Sequence, residues 1–124
     1  MRALVLCTTC RYSDQQQTGP DGRTGGETLI EHVETALKQR GREDMRVERQ
    51  ACLWSCRRHC NVLFRDDQRF SYLAGDLKPL RETAEAIIDW FDLHGSSEMG
   101  AVAFRRWPAA MRGRFIARFP PPKP

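Results

Sequence analysis

The chain has 124 residues, 40% of them hydrophobic and 29% charged, the profile of one globular domain able to form its own core. No apolar run approaches the roughly 20 residues of a membrane span, and the opening "MRALVLC" is interrupted too soon for a secretory leader, so the expectation is a cytoplasmic protein with reduced thiols. The net charge of +4 belongs to the end of the chain: beyond Glu98 stand six bases (Arg105, Arg106, Arg112, Arg114, Arg118 and Lys123) and no acid, which leaves residues 1–98 at −2 and excludes a uniformly basic domain.

The first element is the apolar run "ALVL" at 3–6, which reads as a buried strand ending at Cys7. Residues 11–26 are polar and glycine-rich, with "TGPDGRTGG" as the clearest loop signal in the chain. A helix follows, because Leu29, Ile30, Val33, Ala36 and Leu37 fall on one face. Thr24 and Glu27 have the spacing of a capping box, and Gly41 is placed to stop the helix. "MRVERQA" at 45–51 alternates apolar and polar residues and reads as a strand running into Cys52. "NVLF" at 61–64 and "FSYLAG" at 70–75 flank the polar turn "RDDQR", which predicts a hairpin. A second helix is expected from about Pro79 to Leu93, with Leu80, Ala84, Ile87, Ile88 and Phe91 as its buried stripe.

The order is therefore β-α-β-β-β-α, an α/β domain over residues 1–95. A strand, a crossover helix and a strand imply a parallel pair, and the hairpin adds antiparallel strands to give a mixed sheet with helices packed on it. Residues 96–124 read as a basic, Pro-rich C-terminal extension ending in "PPPKP". Deleting that extension from about Arg112 onward is expected to leave the domain intact and to weaken charge steering of an acidic partner. The alternative is that Phe115, Ile116 and Phe119 cover the sheet or a dimer seam. The interleaving of arginines with Phe104, Trp107, Phe115 and Phe119 can bind nucleic acid, but no recognised motif accompanies it.

The five cysteines fall in two clusters, Cys7 and Cys10 in "CTTC" and Cys52, Cys56 and Cys60 in "CLWSCRRHC". An odd number argues against a pure disulfide framework. Both clusters follow predicted strands, and two parallel neighbouring strands bring their C-terminal ends to one edge of the sheet, where open α/β sheets carry their sites. A redox dithiol needs a helix N-terminus at its first cysteine, whereas here a polar loop separates Cys10 from the first helix. Structural zinc suits a tetrahedral thiolate set, although Cys-x-x-x-Cys leading to a third cysteine is not its usual second half. An iron–sulfur cluster needs four soft thiolates converging in a partly dry pocket. It is anionic, and Arg11, Arg57, Arg58 and His59 flank the cysteines; each of these is equally at home in a solvated loop. Trp54 either shields such a cluster or packs its own loop, Trp90 and Phe91 are core or homodimer-contact residues, and His32 and His94 read as surface or helix-end residues rather than ligands. The chain holds no nucleophile–base constellation and no nucleotide-binding loop, so it reads as a carrier or binding protein and not as an enzyme.

"ACLWSC" followed by "NVLF", then "FSYLAGDLKPL" entering a helix, resembles the thioredoxin-like 2Fe–2S ferredoxins. The stretch from "CTTCR" through the Cys-x-x-x-Cys-x-x-x-Cys segment resembles a bacterial family of predicted metal-binding proteins of unassigned function. The resemblance spans residues 3–95 and implies a thioredoxin-like fold and a one-electron carrier serving a redox partner protein. By it, Cys7 and Cys10 take the place of the first ligand pair of a 2Fe–2S cluster, and Cys52 and Cys56 the second. The first pair is more closely spaced than in those ferredoxins, and Cys60 has no counterpart there: it replaces Cys10, or is a spare thiol, or is a small buried residue opening the next strand. Genes of the unassigned family stand near cobalamin-synthesis genes, which implies electron donation to cobalt-corrin metabolism. The alternative to the ferredoxin reading is a zinc-binding structural or metal-handling module.

Overall fold

The computed structural model describes residues 2–13, 15–51 and 60–122. Its elements are β1 (Arg2–Cys7), α1 (Gly25–Gln39), β2 (Arg46–Gln50), β3 (Val62–Asp66), β4 (Ser71–Ala74), α2 (Arg81–Gly95), two short 3-10 turns (Phe104–Arg106 and Ala109–Met111) and β5 (Phe115–Phe119). The five strands form one sheet in the order β2-β1-β3-β4-β5. β1 and β2 are parallel, as the crossover helix requires, and all other pairs are antiparallel. This is the mixed α/β sheet that the sequence predicts, with one strand added at its edge.

The register places Leu4, Val47, Phe64 and Tyr72 side by side across four strands. They join one core with Leu29, Ile30, Val33 and Leu37 of α1 and Ala84, Ile87, Ile88 and Phe91 of α2. Trp90 and Phe91 are fully buried in the chain's own core, which settles their role. At the start of α1 the Thr24 hydroxyl accepts from the Glu27 N–H at 3.1 Å, and the Glu27 carboxylate accepts from the Thr24 N–H at 2.9 Å. At its end Gly41 adopts φ +65°, and the Gly41 and Arg42 N–H groups return to the Lys38 and Leu37 carbonyls. Arg40 and Arg42 then reach across to Glu85, Asp89 and Asp92 of α2.

The segment beyond residue 95 departs from the expectation of an extension dispensable to the fold. Its strand β5 pairs with β4, and Met111 is fully buried. Phe115 lies 4.6 Å from the Trp90 ring, 5.0 Å from Trp107 and 5.5 Å from Tyr72. Aromatic pairs at such separations add to simple area burial. The physical reason for the difference is that β4 would otherwise be an open edge with Trp90 beneath it; the aromatic residues of the segment cover both. Arg105, Arg106, Arg112 and Arg118 stay exposed, so the basic character of this segment coexists with its structural part.

At the far end of β1, a polar cluster is buried under α2. Asp66 accepts from Arg2 Nε at 3.1 Å and from Arg69 Nη1 at 3.3 Å. His94, a helix-end residue as expected but with no exposed surface, lies 3.0 Å from Arg2 Nη2 through Nδ1 and 2.7 Å from the Phe70 carbonyl through Nε2. Arginine only donates and a carbonyl only accepts, so His94 is neutral with its proton on Nε2. Burial first, and then the nearby Arg2 charge, hold its pKa below the ordinary 6.5, against the bond to Phe70. The unfolded chain therefore takes up this proton more readily than the folded one. The resulting stability is fully present above about pH 6.5 and is lost as pH falls through the lowered folded value. Thermal melts between about pH 7.5 and 5 are expected to show a falling midpoint, and His94→Gln, which keeps one donor and one acceptor, is expected to flatten that slope. Equal slopes in parent and variant would show that His94 is not the responsible group; Asp66 titrates in a separate, more acidic window, its pKa lying below 3.8.

Candidate metal centre

Cys7 is the last residue of β1, and Cys10 follows one turn later. The parallel register sets Cys7 opposite Gln50, the last residue of β2, and the Thr8 N–H donates to the Gln50 carbonyl at 2.8 Å. Ala51, the residue before Cys52, places its carbonyl 3.5 Å from Cys7 Sγ and also accepts from the Thr9 hydroxyl. The antiparallel strand β3 begins at the same edge, so Cys60 and Asn61 stand beside the Cys7–Cys10 turn. Three cysteines from two separate parts of the chain thus meet at one end of the sheet, and all three are buried.

Cys52 and Cys56 lie outside the described residues, as do Trp54, Arg57, Arg58 and His59. Among the described residues, no three His, Cys, Asp or Glu side chains are grouped to hold a metal ion by themselves.

The environments of the described thiols differ. Cys10 Sγ accepts from the Asn61 backbone N–H and from Asn61 Nδ2, each at 3.3 Å. Burial, then a hydrogen bond with Cys7, push the Cys10 pKa up to about 11, with the two Asn61 donors pulling the other way. Cys60 donates to the Arg11 carbonyl at 3.7 Å, a contact that suits a protonated thiol and not a thiolate. Burial, followed by Cys10 and Cys7, raises its pKa as well. Cys60 also takes the left-handed φ of +54°, which costs about 1 kcal/mol for a non-glycine residue, and its carbonyl accepts from the Leu77 N–H at 3.3 Å. A cysteine that holds a metal does so as a thiolate, so a metal bound here would have to displace protons from buried sulfur.

The cysteine turn is held from below by the start of α1. The Gly26 N–H donates to the Cys10 carbonyl at 3.1 Å, and the Thr24 hydroxyl donates to the Thr8 carbonyl. A Cβ on Gly26 would stand 1.9 Å from the Cys7 carbonyl oxygen, so only glycine permits this approach. The loop between Cys10 and α1 is therefore an excursion, and the helix start returns to the cysteines in space. Neither Gly26 nor Asn61 stands out in sequence; "GG" reads as loop punctuation and a lone asparagine as a strand opener. The role of both comes from contacts made across the chain.

With this geometry in view, the chain belongs to the family described as Protein of unknown function (DUF1636), whose model matches residues 4–121. No curated protein matches it. Among solved structures it is similar to a thioredoxin-like [2Fe–2S] ferredoxin from Aquifex aeolicus, with 15% identity, a TM-score of 0.58, and coverage of 98% of this chain and 94% of that one. The fold is thus thioredoxin-like, and the likeness takes in β5 as well as the first 95 residues. No described helix is long and apolar enough to cross a membrane.

Proposed function

We propose that the chain is a one-electron carrier that holds a 2Fe–2S cluster on Cys7, Cys10, Cys52 and Cys56 and passes electrons to a protein partner. The observation that carries this reading is the parallel pairing of β1 with β2, which brings Ala51, the neighbour of Cys52, within 3.5 Å of Cys7 Sγ. Two thiols at the end of one strand and a cysteine-rich segment at the end of its neighbour make a four-thiolate donor set of the kind such clusters take. When bound, the cluster supplies reversible storage of a single electron.

The chain's own residues do the rest. Cys7 and Cys10 hold the buried side of the centre, and burial keeps water from the sulfurs. The rigid start of α1 fixes the turn between them through Gly26. The exposed arginines of the C-terminal segment give an acidic partner a favourable approach. Work in the cytoplasm, where thiols stay reduced, and delivery of electrons to cobalt-corrin metabolism complete the proposal; the second of these rests on the family resemblance alone. Protein purified without oxygen is expected to be red-brown, with about two irons and two sulfides per chain. Colourless protein with one zinc per chain would replace this reading by a zinc-stabilised interaction or metal-handling module, which the same thiolates also suit.

A further inference from the structure

We propose that Asn61 sets the electron affinity of the metal centre through two N–H···S bonds to Cys10. The inference rests on the electron-carrier reading. Asn61 is buried between Cys60 and β3, with only 2% of its surface exposed. Its backbone N–H and its side-chain Nδ2 converge on one sulfur, each at 3.3 Å. Its carbonyl accepts from the Cys7 N–H at 3.4 Å, so the same residue touches both members of the first cysteine pair. The left-handed turn at Cys60 aims the N–H at Cys10, just before β3 enters its pairing with β1 at Val62 and Leu6. The turn thus fixes the backbone donor, and the buried side chain brings its Nδ2 to the same sulfur.

Two fixed donors on a thiolate ligand stabilise negative charge on that sulfur. Reduction adds one electron to an already anionic cluster, so the bonds strengthen in the reduced state and favour it. Asparagine does this without a net charge, which leaves the approach of a charged partner unaltered. Asn61 is a positioning residue, acting on the cluster through Cys10. A purely structural role would alter the melting temperature and leave the potential where it was.

Asn61 is the only asparagine in the chain, so labelling with nitrogen-15 asparagine marks this residue alone. Pulsed EPR of the reduced, labelled protein is expected to show coupling of the unpaired spin to asparagine nitrogen, together with coupling to exchangeable deuterons after transfer to heavy water. In Asn61→Leu, which retains the backbone donor and loses the side-chain one, the reduction equilibrium is expected to shift about tenfold toward the oxidised form, about 59 mV for one electron. A variant that keeps its cluster with an unchanged potential overturns the proposal. If the variant loses its cluster, the labelled parent decides: a cluster signal without asparagine coupling overturns the inference alone. A parent with no cluster signal fails the electron-carrier reading, and this inference with it.

Discussion

Ending the chain at Met111 is expected to lower the melting temperature by at least about 10 °C. The loss removes β5, the hydrogen bonds that pair it with β4, and the Phe115 ring that packs against Trp90, Tyr72 and Trp107. Phe115 is half-buried, so its loss alone costs less than the about 3–5 kcal/mol of a fully buried phenylalanine, but the pairing and contacts of the whole strand go with it, and for a domain of this size each kcal/mol moves the midpoint by about 4 °C. The truncated protein would also expose the edge of β4 and the aromatic surface beneath it, which favours aggregation. Thermal melts with light scattering check both effects. A truncated chain that melts with the parent would restore the view of this segment as a steering appendage. Steering itself is better read from Arg105→Gln and Arg112→Gln, whose exposed side chains leave the strand in place.

The second large effect concerns the cysteines. Serine at Cys10, Cys52 or Cys56 is expected to abolish or grossly perturb the cluster, since each change removes a thiolate. The loss in metal affinity should exceed the hundredfold or so typical of residues that only support ligands. Serine at Cys60 is expected to retain most of the iron, because its sulfur donates to the Arg11 carbonyl, a contact of a protonated thiol and not of a ligand. Iron and sulfide assays on the four variants, purified identically, separate the roles. Retention of iron by Cys10→Ser together with its loss from Cys60→Ser would make Cys60 the fourth ligand and displace Cys10 from the set.

Much of the framework was legible because its signals are local. "ALVL" has no polar interruption and sits between two strands, and the Thr24–Glu27 box and Gly41 mark α1 within a few residues of its ends. The turn at 65–69 announces the β3–β4 hairpin in the same way. β5 is harder to see. In "FIARF" the apolar residues fall on both faces and Arg118 interrupts them, so there is no clean alternation; only β4, forty residues earlier in the chain, makes this a strand. His94 is hidden for a related reason. A histidine ending a helix reads as solvent-facing until Arg2, from the opposite end of the chain, closes over it.

The candidate site divides along the same line. The expected convergence of "CTTC" with the segment after β2 rests on one inference, a parallel β1–β2 pair; the structure has that pair, while Cys52 and Cys56 lie outside the described residues. The difference between Cys10 and Cys60 was not legible. It depends on which of two neighbouring sulfurs receives the Asn61 donors and which meets a carbonyl, and that is set by a left-handed backbone angle at Cys60. The need for glycine at 26 likewise comes from the carbonyl of Cys7, reached only when α1 folds back.

The central claim, a one-electron centre on these thiolates, is tested most directly by reductive titration of the anaerobically purified chain, followed by visible absorption and low-temperature EPR. The account predicts visible bands that bleach as one electron per chain is taken up, with an EPR signal from a single unpaired spin growing in step. A chain that takes up no electron, shows no signal and contains zinc would contradict it.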